Sequence, residues 1–256
     1  MKIAVCTGAS SGMGREFAIA IDKTEDLDEI WLIARREERL RELSQTLRTK
    51  ARILPWDLSR PEVFAEYKAL LEKEAPEVTT LCNVSGYGKF ALFEETPMED
   101  NLGIIDVNNK ALVAMTQLTL PYMKRGSRVF NLDSLSAFQP VPYLSIYAAS
   151  KAFILSFSRS LNVELEPRGI RVMAICPGWV RTEFFDRAVI DKDAVTYYDV
   201  WWEPGEVIEK ALADYDKGSD ISILGAPVRR QAAMVKHLGH RTVMKIWMRQ
   251  QKHDKR

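Results

Sequence analysis

Short, nearly uninterrupted apolar runs alternate along this chain with longer stretches in which apolar residues recur every three or four positions. The runs near 2–6, 30–34, 51–54, 79–83, 128–132, 170–176 and 220–224 predict strands, and the stretches near 13–23, 36–49, 61–75, 98–124, 144–166 and 204–217 predict helices. Runs such as Ile30-Trp31-Leu32-Ile33-Ala34 and Val172-Met173-Ala174-Ile175 lack a polar alternate. That suits strands covered on both faces, so the strand–helix rhythm predicts an α/β fold with a doubly wound parallel sheet of about seven strands flanked by helices. Such a sheet carries its site outside the carboxyl ends of its strands. Ser59 is expected to cap the helix that begins near Pro61, and Pro167-Arg168-Gly169 to close the long helix before it.

No Pro/Gly/Ser-rich linker divides the 256 residues, which predicts one domain over 1–256 with a basic C-terminal extension from about 228 to 256. That extension holds nine Lys/Arg and one acidic residue, so it carries +8 and leaves −7 on the rest of a chain whose net charge is +1. Its charge suits the acidic body, an acidic substrate or a membrane surface, and Val243, Met244, Ile246, Trp247 and Met248 give it an apolar face for docking. Without a recognisable nucleic-acid-binding motif, no nucleic-acid partner is expected. His237 and His240 have helical spacing but no further ligands near them in sequence, so no metal site is expected. Cys6, Cys82 and Cys176 sit in predicted strands and read as buried thiols. The chain reaches its first turn at once after Met1-Lys2-Ile3-Ala4-Val5 and has no apolar stretch of membrane-spanning length, which predicts the cytoplasm.

Thr7-Gly8-Ala9-Ser10-Ser11-Gly12-Met13-Gly14 follows the first strand and opens the first helix. Gly8 permits the tight turn, Gly12 lets the backbone approach an anion, and Gly14 lets the helix pack closely, while the free N–H groups and positive end of the helix attract a pyrophosphate. The interval G-x-x-x-G-x-G resembles the glycine motif of the short-chain dehydrogenase/reductase family, whose single-domain, Rossmann-type members bind a nicotinamide dinucleotide. At the end of the second strand stand Ala34, Arg35 and Arg36 in place of the acidic residue that would hold a ribose 2′-hydroxyl. A guanidinium offers charge-assisted bonds to a 2′-phosphate, so NADP(H) is the expected cofactor, with Arg35 ahead of Arg36 and Ser10 or Ser11 assisting. By resemblance Asp57 takes the adenine position, and Asn83-Val84-Ser85-Gly86 replaces the usual N-N-A-G while keeping its first Asn and its Gly.

Tyr147 and Lys151 lie four residues apart on a predicted helix and therefore share a face. A nearby ammonium is expected to lower the phenol toward the range useful for proton transfer. Ser134 stands 13 residues before Tyr147, the spacing of the family's Ser-Tyr-Lys set. The resemblance further implies that Asn108 contributes a main-chain carbonyl that holds a water leading to Lys151. It also implies that Pro177, Gly178 and Thr182 of Pro177-Gly178-Trp179-Val180-Arg181-Thr182 contact the cofactor toward its nicotinamide end. Asp133, where the family often has Ser or Gly, is expected to point away from Ser134 by strand alternation and to take no catalytic part.

The segment after Thr182, with Phe184, Phe185, Tyr197, Tyr198, Trp201 and Trp202, and the loop 138–143 are expected to wall a site for a bulky apolar ketone or alcohol. The resemblance is to hydroxysteroid dehydrogenases and carbonyl reductases, and it implies a homo-oligomer. Two alternatives stand beside it: a 3-oxoacyl-thioester reductase, for which the basic extension would receive an acidic carrier, and a noncatalytic NADP-sensing regulator, which would not need the Ser-Tyr-Lys set.

Overall fold

The computed structural model describes residues 1–253. Its frame runs β1 (Lys2–Thr7), α1 (Gly12–Thr24), β2 (Glu29–Ile33), α2 (Glu37–Ser44), β3 (Ala51–Leu54), α3 (Glu62–Glu74), β4 (Glu77–Asn83), α4 (Met98–Ile105), α5 (Ala111–Thr119) and β5 (Arg128–Leu132). It continues with α6 (Ser145–Leu165), β6 (Arg171–Ile175), β7 (Trp179–Val180), α7 (Phe184–Ala188), β8 (Trp201–Trp202), α8 (Pro204–Asp216), β9 (Ile221–Ser222), α9 (Ala226–Val235) and α10 (His240–Gln250).

Seven strands form one parallel sheet in the order β3-β2-β1-β4-β5-β6-β9. The order reverses between β1 and β4, and this switch point opens a crevice at the carboxyl ends. Alternation explains why the strands read as unbroken apolar runs. Ile3, Val5, Trp31 and Ile33 enter the core on one face with Tyr67 and Met115, whereas Ala4, Cys6, Ile30 and Leu32 enter the other with Phe17 and Ile21. Each such side chain contributes about 1.5–3 kcal/mol on burial, so a one-residue slip of any central strand would forfeit several at once. The three cysteines are buried free thiols, as expected.

Three local expectations change. The stretch 98–124 is not one helix: α4 and α5 flank a π-helical turn at Asp106–Lys110, in which the Ala111 N–H reaches back five residues to the Asp106 carbonyl. Ser59 does not cap α3; its amide and hydroxyl both donate to Asp57, and Pro61 occupies the cap position. The strand expected at 220–224 shortens to β9, and β7 pairs with β8 in a separate two-stranded sheet.

The basic segment packs on the body through α9 and α10. Val243 and Trp247 are buried, the Trp247 indole N–H donates to the Pro142 carbonyl at 3.1 Å, and Gln251 receives the Thr196 and Tyr197 amides. Asp254, Lys255 and Arg256, the end of that segment, lie outside the described residues. Among the described residues no helix is long and apolar enough to cross a membrane, and no group of His, Cys, Asp or Glu is arranged to hold a metal ion.

Candidate active site

The loop after β1 and the start of α1 form one wall of a groove of about 750 Å³ at the switch point. Gly8, Ser10, Ser11, Gly12, Met13 and Gly14 all line it. Gly14 is required there because a Cβ would stand 2.2 Å from the Gly8 carbonyl oxygen, so its absence lets the helix close against its own loop. Ser11, at the cap position of α1, makes no side-chain cap bond. The first-turn N–H groups therefore keep their capacity for an anion. Arg35, Arg36 and Asp57 line the same groove. Burial pushes the Asp57 carboxyl up, but the Ser59 hydrogen bonds and the Arg35 charge outweigh it and hold Asp57 below its ordinary value. These features fit a dinucleotide: backbone donors free for a pyrophosphate and two guanidinium groups lining the same groove, which could meet a ribose phosphate.

Arg36 is engaged more closely than the sequence shows. It donates to the Ser10 hydroxyl at 3.3 Å and pairs with Glu183 at 2.7 Å. Glu183 therefore lines the groove and not the substrate wall that was expected of the whole segment after Thr182, a correction for its first residue. Arg35 is exposed and has no ion pair among the described residues, so it is the uncommitted guanidinium. Asn83 is off the groove: its buried amide donates to Thr116 and Asn131, tying β4 to α5 and β5. The sheet claims that side chain, and its neighbours Val84, Ser85 and Gly86 face the groove instead.

Beyond the groove lies a smaller pocket of about 140 Å³ that shares Met13, Gly86, Leu132, Thr182 and Phe184 with it. Ser134, Tyr147 and Lys151 line this pocket together, as do Pro177 and Gly178, which do not reach the groove. Ser134 follows β5 and its hydroxyl accepts the Ser136 N–H, capping a short turn. Tyr147 and Lys151 project from the start of α6, and the Lys151 ammonium lies 5.6 Å from the Tyr147 ring centre while donating to the Leu132 carbonyl at 2.8 Å. Gly88 gives the Tyr147 ring its space, since a Cβ there would stand 2.7 Å from Cδ2. Asn108 is fully buried in the π-helical turn; its side chain brackets the Tyr87 backbone and donates to the Ser150 hydroxyl.

The expected lowering of the phenol is not what this site shows. Burial raises Tyr147 above its ordinary value, the Ser134 hydroxyl draws it part of the way back, and the Asp133 charge raises it again. Burial also weakens the Lys151 ammonium, bringing it down to about 8 while Asp133 and Cys176 pull upward. Asp133 does not point away from the site either: Oδ1 accepts the Ser134 N–H at 2.9 Å and the residue lines the pocket.

The remaining wall is apolar and aromatic. Phe184, Phe185 and Tyr197 line it as expected, and Tyr198 and Trp201 pack edge-on against Trp179 and Phe185. Trp202 instead packs into the main core beneath Gly225. Phe90, Trp179, Gln231, Trp247 and Gln250 line the pocket too, and of these only Trp247 was signalled in the sequence, as part of the apolar docking face of the basic extension. Only the i, i+4 spacing of Val243 and Trp247 signalled that α10 has an inward face.

A dinucleotide groove opening beside a Ser-Tyr-Lys set defines the class as a nicotinamide-dependent oxidoreductase. The family model for short chain dehydrogenases matches residues 2–193, and the chain belongs to that family. It is 33% identical to an uncharacterised oxidoreductase of Staphylococcus epidermidis over 209 residues, 77% of this chain and 90% of that protein. It is 32% identical to the very-long-chain 3-oxoacyl-CoA reductase of Rattus norvegicus over 70% of this chain and 60% of that one. Among solved structures, a short-chain dehydrogenase from Sphingobium yanoikuyae in complex with NADPH superposes with a TM-score of 0.79 at 30% identity, covering 96% of this chain and 95% of that one.

Proposed function

We propose that this protein is an NADP(H)-dependent oxidoreductase that interconverts a ketone and a secondary alcohol, with a bulky apolar substrate. The observation that carries the reading is the shared boundary of the two cavities: Ser134, Tyr147 and Lys151 line an aromatic pocket that opens directly on the dinucleotide groove. When bound, the nicotinamide supplies or accepts the hydride at the carbonyl carbon. Tyr147 gives its phenolic proton to the carbonyl oxygen during reduction, and Ser134 holds that oxygen by a hydrogen bond. Lys151 holds positive charge beside the phenol. The raised Tyr147 keeps its proton through the neutral range, which suits reduction; oxidation needs the phenolate and gains as pH rises. Arg35, with Ser10 and Arg36, supports the preference for a 2′-phosphate, and the S. yanoikuyae structure holding NADPH favours the same cofactor.

A 3-oxoacyl thioester is the second reading. It is supported by the similarity to the rat 3-oxoacyl-CoA reductase and by the basic helices α9 and α10, whose Gln231 and Gln250 reach the pocket. Initial rates with NADPH across ketosteroids, 3-oxoacyl thioesters and small ketones separate the two. In the same assay Tyr147→Phe is expected to lose about a thousandfold or more in kcat with cofactor affinity unchanged. Near-wild-type turnover by that variant would remove the phenol from the chemistry.

A further inference from the structure

Between α7 and β8 the chain has no helix or strand beyond a single bridge from Val189 to Phe90, although Tyr197 and Asp199 of this stretch line the pocket. Backbone groups outside a ladder need partners from elsewhere. Here they come from the end of α10. Gln251 is 1% exposed; its Oε1 accepts the Thr196 N–H at 2.7 Å and the Tyr197 N–H at 2.9 Å, and its Nε2 donates to the Tyr197 carbonyl at 3.4 Å. The Gln251 carbonyl in turn accepts the Thr196 hydroxyl at 3.1 Å. Among the described residues, Gln251 supplies every hydrogen bond that ties residues 195–200 to another part of the chain. Ala194 and Val195 are buried in one cluster with Trp247, but Thr196 and Tyr197 are exposed, so apolar burial does not fix them.

The turn that ends α10 aims Gln251 and His253 at this stretch. The Lys252 N–H donates to the Arg249 carbonyl at 3.0 Å and the His253 N–H to the Met248 carbonyl at 2.8 Å, with Lys252 left-handed at φ 60°. Glycine is the usual residue at that position of such a helix end, and a side chain there makes the conformation costly. His253 then donates to the Ala194 carbonyl at 3.1 Å and stacks on Tyr143 at 4.3 Å, ring centre to ring centre. Tyr143 is left-handed too, at φ 66°. Two such residues on either side of one stack persist because the contacts around them over-determine the geometry, a pattern found where a ligand site is clamped.

Building on the ketone reductase reading, we propose that Gln251 is a positioning residue for substrate size: by taking two consecutive amides it holds Tyr197 as the lip of the aromatic pocket, where the ring covers a bulky ketone and not a small one. Gln251 does not line the pocket itself. Ser134, Tyr147 and Lys151 stand at the end of β5 and on α6, so losing the glutamine changes the cover and leaves the proton donor in place.

The test is Gln251→Met, which keeps the volume of the buried side chain and removes its amide. Hydrogen exchange followed by mass spectrometry should show the Thr196 and Tyr197 amides exchanging roughly 5- to 100-fold faster, with β1 and β4 unchanged. With NADPH, KM for a ketosteroid should rise roughly 5- to 20-fold while its kcat and the KM of a small ketone stay within about twofold. Quenching of the pocket tryptophans Trp179 and Trp247 by the ketosteroid should report the same weakening without turnover. His253→Ala leaves the glutamine amide in place; it should move both readouts less, in the same direction, and covers the case in which Gln251→Met does not fold. Unchanged exchange at Thr196 and Tyr197 in either folded variant would overturn the proposal, as would faster exchange with both ketones weakened equally or with kcat alone reduced. Failure of every ketone to turn over, with exchange and quenching as expected, would count against the ketone chemistry and not against the role of Gln251.

Discussion

Glu183 joins two functions that the sequence keeps apart, because it borders the cofactor groove while its neighbour Phe184 packs 5.5 Å from Tyr147, ring centre to ring centre. Its carboxylate pairs with Arg36 at 2.7 Å, but the two side chains remain 43% and 32% exposed. An ion pair this accessible is worth about 0.2–1 kcal/mol. A phosphate monoester carries roughly −1.5 to −2 charges near neutral pH and binds a guanidinium through charge-assisted bonds worth about 1.5–3 kcal/mol. On the proposed preference for NADP(H), a 2′-phosphate would therefore displace Glu183 from Arg36 and leave the carboxylate behind as a nearby like charge. Glu183→Gln should relieve that competition and raise NADPH affinity roughly 1.5- to 5-fold, while NADH, which lacks the phosphate, changes little. Titration of both cofactors by tryptophan fluorescence measures this directly. The gain should shrink in high salt, where the exposed pair and the repulsion are both screened. Equal gains for NADPH and NADH, or weaker NADPH binding, would show that Glu183 supports the cofactor and would refute the competition.

Three further outcomes test other parts of the structure. Arg35→Ala should weaken NADPH about 10- to 100-fold and spare NADH, measured in the same titration; equal losses would assign Arg35 to the fold. Trp247→Ala removes a buried indole and its bond to Pro142, so it should cost about 3–5 kcal/mol in denaturant unfolding and raise KM for a bulky ketone more than for a small one. Glu29 is buried at the start of β2; burial pushes its carboxyl up, but Arg52, Lys50 and the Trp31 indole outweigh this and bring it down to about 2 from 4.5. Because its folded value is depressed, the stabilisation of about 3 kcal/mol is present above pH 4.5 and fades as pH falls toward 2; Glu29→Gln should lose it and flatten the acid side of a stability–pH curve.

The sheet was legible because its strands are buried on both faces, leaving Ile30 to Ile33 without a polar alternate and the glycine turn without a competing role. The Ser134, Tyr147 and Lys151 set was legible because a fixed spacing and one helical turn bring it together. What escaped depends on contacts distant in sequence. Asn83 reads as a groove residue until β5 supplies Asn131 as its partner, 48 positions later. Glu183 reads as part of an aromatic run until Arg36 is seen to reach it. Strand alternation misplaced Asp133 because β5 ends at Leu132, and beyond that point the period of two no longer governs where a side chain goes. The π-helical turn has no signal in hydrophobic period, since one extra residue in a helix of this length is lost in the spread of the pattern.

The basic C-terminal segment shows how charge and period divide one helix between two tasks. Val243 and Trp247 lie one turn apart and face inward, while Arg241, Lys245 and Arg249 lie on the exposed surface. The charge of Arg241, Lys245 and Arg249 is therefore a property of the outer face of α10, and the inner face is set by apolar area and by polar anchors. Gln251 takes the amides of Thr196 and Tyr197, and His253 stacks on Tyr143 at 4.3 Å while bonding the Ala194 carbonyl. These contacts grip both the segment after Thr182 and the loop before α6, the two stretches that wall the pocket. Burying Trp247 against Pro142 consequently fixes the pocket's outer boundary from the far end of the chain. Under the proposed ketone–alcohol chemistry, changes at Gln231, Gln250 and Trp247 would alter the shape offered to a substrate while leaving Ser134, Tyr147 and Lys151 on their own elements, so substrate range would change without disturbing the proposed proton transfer.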